Sequence, residues 1–124
     1  MLPDGIFHKE KVTPSLRKAY TDPFPTVNSR KPTYVFRGQI RKAHAWLKEI
    51  ESKLPTLSDL PTQILWGNKN DPGFGPKDLK KWQGFLKMHE TETLDDASHS
   101  VQEDRPDRVV AAIRRVLERT KDQV

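Results

Sequence analysis

The sequence predicts an α/β fold, and within it the last two parallel strands of a larger sheet with flanking helices. Three observations carry this reading. Residues 62–66 (Thr-Gln-Ile-Leu-Trp) and about 89–94 have strand character, and a helical pattern at 76–87 lies between them. Strand–helix–strand order calls for a crossover, and crossovers join parallel strands. Two parallel strands make a poor sheet by themselves, since such sheets are normally covered on both faces and need neighbours. Polar clusters follow the C-terminal ends of both strands, the edge where open α/β sheets collect functional residues.

Composition sets the bounds. A chain of 124 residues is one small domain or a piece of a larger one, with a thin margin of stability. It is polar for a stand-alone domain, 34% hydrophobic and 31% charged, but its apolar residues are gathered into blocks. That blocking excludes a disordered chain. The net charge is +5. The clusters Arg37, Arg41, Lys42 and Lys77, Lys80, Lys81 are interrupted by apolar positions at helical spacing, so solvated helix faces are expected and no nucleic-acid partner. The absence of cysteine excludes disulfides, thiolate catalysis and cysteine-based zinc sites. It also suits a cytoplasmic location. No stretch is long and apolar enough to span a bilayer, and Met1–Gly5 lacks the start of a signal peptide, so no membrane partner is expected.

The first third is rich in proline. Thr13-Pro14 reads as an N-cap followed by proline at the first helical position, opening a short helix to about Tyr20 that Pro23 and Pro25 end. Residues 22–34 are expected to run as an extended loop. A helix is expected over 38–53, where Ile40, Ala43, Trp46, Leu47, Ile50 and Leu54 fall near helical spacing and Pro55 stops it. Trp46 is expected to pack in a core. The first strand follows at 62–66, then the turn cluster from Gly67 to Gly73. The helix at 76–87 has Pro76 near its start and Leu79, Trp82, Phe85 and Leu86 on one face. In the weaker second strand Glu and Thr alternate, and the polar run Asp95–His99 follows. A last helix from about Pro106 to Arg119 carries the apolar stripe Val109, Ile113, Val116 and Leu117.

Asp71 and His99 lie in the two polar clusters. If their strands are adjacent, a carboxylate–imidazole hydrogen bond is within reach. Such a bond fixes the tautomer and leaves the other ring nitrogen free to act as a base. A second reading stands beside this one: Asp71-Pro72-Gly73 is also an ordinary turn, Asp95 and Asp96 are also capping residues, and a lone histidine after a strand is often structural. His8, His44 and His89 form no metal-ligand spacing with one another, so no metal site is expected. Gly73-Phe74-Gly75 is too short for a phosphate-binding loop, and no cofactor is expected.

The run Leu60-Pro61-Thr62-Gln63-Ile64-Leu65-Trp66-Gly67, then Lys69 and Asp71-Pro72-Gly73-Phe74, resembles the acid-bearing segment of α/β-hydrolases. The run from Asp96 to Pro106, with His99 inside it, resembles their histidine segment. The family order is nucleophile, acid, histidine, and the last two match here. Haloalkane dehalogenases are the subgroup most resembled. Thr13-Pro14, Tyr20, Pro23-Phe24-Pro25-Thr26, Ser29-Arg30 and Pro32-Thr33 look like the end of their helical cap. Fluoroacetate dehalogenases, epoxide hydrolases and esterases share much of the pattern.

The resemblance implies that residues 1–36 are a cap remnant and loop, and that 37–124 are the C-terminal part of the hydrolase core. It implies Asp71 and His99 as catalytic acid and base, acting on a small organic substrate, a halogenated alkane or an ester. Three departures accompany it. The family acid lies three residues after the glycine, where this chain has Asn70, while Asp71 keeps the Asp-Pro step. Ser98 and Ser100 replace a glycine and an aromatic beside the histidine. No Gly-x-Ser-x-Gly or Gly-x-Asp-x-Gly nucleophile elbow occurs anywhere. The chain alone is therefore expected to be inactive. The alternative is a non-catalytic interaction module, with a homo-oligomer formed through exposed sheet surface.

Overall fold

The computed structural model describes residues 4–69, 71 and 73–121. After a 3-10 turn at Lys9–Lys11 come the helices α1 (Pro14–Thr21), α2 (Val27–Lys42) and α3 (His44–Lys53). A second 3-10 turn (Leu54–Leu57) leads to β1 (Thr62–Gly67), α4 (Pro76–Phe85), β2 (His89–Leu94), α5 (Val101–Asp104) and α6 (Pro106–Thr120). Contacts divide the chain into two compact units, Thr13–Leu54 and the combination of Met1–Val12 with Pro55–Val124.

In the unit Thr13–Leu54, α1 begins as expected. Thr13 Oγ1 accepts the Leu16 N–H at 3.1 Å, and Pro14 fills the first turn, where its missing N–H costs nothing. The expected loop over 22–34 is a correction: helix α2 starts at Val27. A capping box starts it, with Thr26 Oγ1 accepting from Ser29 N (3.1 Å) and Ser29 Oγ accepting from Thr26 N (3.0 Å). Pro32 lies inside this helix. Its ring removes one intrahelical bond, a loss of about 3 kcal/mol in a helix interior, so the capped start and the turns beyond it outweigh a residue that reads as a breaker. The single helix expected over 38–53 is in fact the end of α2 plus α3, separated at Ala43. Trp46 is also corrected: it is exposed, like Ile40, Leu47 and Ile50, and no residue of α1, α2 or α3 is buried.

In the other unit, β1 and β2 pair in parallel, with Thr62 opposite His89 and Gly67 opposite Leu94. The α/β prediction holds here in the form the strand–helix–strand order requires. Because side chains alternate along a strand, Gln63, Leu65, Glu90 and Glu92 share one face. That face meets α6. Gln63 and Leu65 line an apolar groove with Val109, Ala112 and Val116. Glu92 pairs with Arg108 and with Arg115 (2.9 Å), and Glu90 with Arg119 (3.2 Å). The polar alternation that weakened the second strand in sequence is thus a row of carboxylates matched to arginines one helical turn or two apart. The opposite face meets α4, where Gln83 Nε2 donates to Thr91 Oγ1 at 3.1 Å. Among the described residues the buried apolar ones are few: Ile6, Leu94, Ala97 and Ala112. They sit where the N-terminal segment, the end of β2 and α6 belong to one unit. No helix among the described residues is long and apolar enough to cross a membrane.

Candidate active site

Both strands deliver their following loops to one edge, and a glycine lets the loops meet. A β-carbon on Gly67, the last residue of β1, would stand 2.1 Å from the Ser98 carbonyl oxygen and 2.9 Å from that of Ala97. The loops are then tied by backbone bonds, Asn68 N to Leu94 O (2.9 Å) and Lys69 N to Ala97 O (3.0 Å). Asn68 Nδ2 also donates to Asp95 Oδ1 at 2.9 Å.

This zippering brings the two residues singled out in sequence into contact. His99 Nδ1 lies 3.1 Å from Asp71 Oδ2 and 3.2 Å from Oδ1. Asp71 Oδ1 also accepts the backbone N–H groups of Gly73 (2.7 Å) and Phe74 (3.0 Å). Burial pushes the Asp71 carboxyl up, but those two N–H donors and His99 outweigh it and hold it below its ordinary value. An ionised carboxylate only accepts, so Nδ1 carries the proton and donates it. In the neutral ring Nε2 then holds the free lone pair. Asn70 and Pro72 lie outside the described residues.

The turn that presents Asp71 also presents an aromatic face. Phe74 stacks on the imidazole with centroids 5.7 Å apart and ring planes 6° from parallel, and Trp66 meets Phe74 edge-on at 6.5 Å. Asp71 and His99 are among the lining of an open cavity of about 210 Å³ whose apolar walls include Leu65, Trp66, Phe74, Trp82 and Val101. Oriented imidazole, carboxylate and apolar walls are the parts that general-base chemistry on a small organic molecule requires.

Ser98 and Ser100, on either side of His99, are both buried. Ser98 N donates to Asp104 Oδ2 (2.9 Å), and Ser100 N donates to the Gly5 carbonyl (2.7 Å). Sequence reading gave Phe74, Asp104 and Gly5 no part of their own in the site, although Phe74 and Asp104 fall within the two resembling runs. For Phe74 a signal existed, since it follows the acid within one turn. For Asp104 and Gly5 it did not, because their partners lie 6 to 97 residues away. Among the described residues, no group of three or more His, Asp or Glu could hold a metal ion, and neither His8 nor His89 lines the cavity beside the Asp71–His99 pair.

No family model matches the chain. It is 34% identical over 110 residues to cis-3-alkyl-4-alkyloxetan-2-one decarboxylase of Xanthomonas campestris pv. campestris, a match covering 85% of this chain and 36% of that protein. It is 30% identical over 115 residues to haloalkane dehalogenase 2 of Mycobacterium bovis and of Mycobacterium tuberculosis, covering 91% of this chain and 39% of theirs. The chain thus spans well under half the length of the curated relatives it matches. By these similarities and by its two parallel strands with flanking helices, the chain is a homologue of the C-terminal region of α/β-hydrolases of the haloalkane dehalogenase and alkyloxetanone decarboxylase kind.

Proposed function

We propose that Asp71 and His99 are the acid and the base of an α/β-hydrolase centre whose nucleophile and oxyanion donors come from polypeptide outside these 124 residues. The observation that carries this reading is the 3.1 Å bond between His99 Nδ1 and the Asp71 carboxylate. It leaves Nε2 as the basic nitrogen beside an apolar cavity. In this reading residues 1–36 descend from the cap and its loop, and 37–124 from the core. That is a correspondence of descent, separate from how contacts divide the chain.

The substrate is a small halogenated alkane or ester, and the work is done in the cytoplasm. With a halogenated alkane, an aspartate nucleophile displaces halide from carbon and forms an alkyl ester. His99 then takes a proton from water, and the resulting hydroxide equivalent attacks the ester carbonyl. The alcohol leaves, the nucleophile regains its carboxylate, and the imidazolium returns its proton to solvent. Asp71 holds the ring in the productive tautomer and stabilises the imidazolium. Without the nucleophile most of the rate enhancement is lost, so the 124 residues alone do not turn over.

The test is co-expression with the N-terminal part of haloalkane dehalogenase 2, followed by halide-release and ester-hydrolysis assays on the purified complex. Turnover that His99→Gln abolishes is the expected result. A soluble, correctly assembled complex with no turnover would sink the assignment. One observation favours the alternative of a non-catalytic interaction module forming homo-oligomers: Val110, Ile113 and Leu117 of α6 are all exposed. It predicts a stable dimer on size-exclusion chromatography.

A further inference from the structure

Asp104 is wholly buried, at 0% exposure. A buried carboxylate is unfavourable unless hydrogen bonds replace the lost water. Here the replacement is a set of backbone donors from two distant stretches. Oδ2 accepts from Phe7 N and from Ser98 N, both at 2.9 Å, and Oδ1 accepts from His8 N at 2.9 Å. One carboxylate thereby fastens the N-terminal segment to the residue that precedes His99.

The same segment also holds the residue that follows His99, since Ser100 N donates to Gly5 O at 2.7 Å. Gly5 itself lies against the histidine: a β-carbon there would stand 3.2 Å from His99 Cβ and 3.3 Å from Ser100 Oγ. The buried Ile6 side chain pegs the segment in place, and Lys11 Nζ donates to the Asp104 carbonyl. His99 is therefore held between two fixed neighbours, with residues 5–8 behind it and the Asp71 turn on its ring.

We infer that Asp104 is a positioning residue for His99, and that it acts by strapping Gly5–His8 across the back of the histidine loop. The inference rests on His99 being the base, and deepens that reading. The strap fixes the backbone so that Asp71 needs to orient only the ring, and displacement of a catalytic group by about 1 Å can cost a hundredfold in rate. Asparagine at position 104 would keep the shape but could accept through one oxygen only. Its amide would face a backbone N–H and the strap would open.

The experiment is long-range ¹H–¹⁵N NMR of the histidine rings in the intact chain, at a pH where they are neutral, for the wild type, Asp104→Asn and Gly5→Val. In the wild type the His99 ring is expected chiefly as the Nδ1–H tautomer, the form bound to Asp71. In both variants that form is expected to fall to a minority, as in a free imidazole, while the amide signals of β1 and β2 keep their positions. If Asp104→Asn does not fold, Gly5→Val decides by the same criterion. A folded variant that keeps the wild-type tautomer overturns the strap and leaves the Asp71–His99 reading standing. A wild-type ring that is mostly Nε2–H overturns both.

Discussion

Gly67 and Ser98 leave no room for a side chain between them: a β-carbon on Gly67 would lie 2.1 Å from the Ser98 carbonyl oxygen. This contact closes the end of β1 onto the residue before His99, and it is backbone against backbone, so neither side can swing away. The Asp71–His99 bond depends on that approach.

Gly67→Ala should accordingly be among the most damaging single-methyl changes in the chain. Forcing the loops apart is expected to cost about 3 kcal/mol or more, at the top of the range for overpacking. Chemical denaturation of the purified variant reads it. A midpoint equal to that of the wild type would mean the loops do not meet this closely.

Ser98→Ala should act in the opposite direction. Ser98 is buried, and its hydroxyl has no hydrogen-bond partner among the described residues. Removing an unsatisfied buried hydroxyl is expected to stabilise the chain by about 1 kcal/mol. The change leaves its backbone N–H free to keep donating to Asp104. A thermal melt shows the result, and a lowered midpoint would reveal a hidden partner for the hydroxyl.

Asp104 should contribute to acid lability. Burial raises its carboxyl, but the N–H groups of Phe7, His8 and Ser98 outweigh burial and hold it below its ordinary value. A carboxyl depressed on folding stabilises the native state above its unfolded pKa of about 3.9. That contribution drains away as pH falls through the lower folded value. Asp71 is depressed in the same sense and adds to the effect. Stability measured from pH 6 downwards should fall steeply below about pH 4. Asp104→Asn should be less stable than wild type near neutrality, with the gap narrowing in acid. A constant gap across that range would show that the Asp104 charge is not linked to folding.

Asp71→Asn should separate orientation from binding in the complex assembled with an N-terminal hydrolase part. Asparagine lacks the charge that holds the Nδ1–H tautomer and stabilises the imidazolium, so kcat is expected to fall by about 10³ to 10⁴. KM should change little, because the apolar walls of the cavity are untouched and asparagine keeps the shape of the side chain. Steady-state kinetics on a chromogenic ester or a halogenated alkane decide it. A loss confined to KM would recast Asp71 as a binding residue.

Much of this protein is settled by short stretches of sequence. Thr13-Pro14 starts α1, Pro76 and Pro106 open α4 and α6, and the strand–helix–strand order makes β1 and β2 parallel. Asp71 and His99 were legible as a pair because each follows a strand on the edge where such loops gather. These features depend on preferences acting over a few residues, which a sequence displays directly. The misread stretch at 22–34 fell between two local rules, with three prolines on one side and the Thr26–Ser29 capping box on the other. Only the tertiary structure decided the rest. Gly67 is a turn residue in sequence and a contact surface in space. Glu90 and Glu92 look like a poor strand until Arg108, Arg115 and Arg119 arrive from α6. Asp104 reads as one more acid before a helix until Phe7 and His8 reach it across 97 and 96 residues. The energies of these contacts belong to pairs far apart in the chain, so no stretch of sequence shows them until folding makes the partners neighbours.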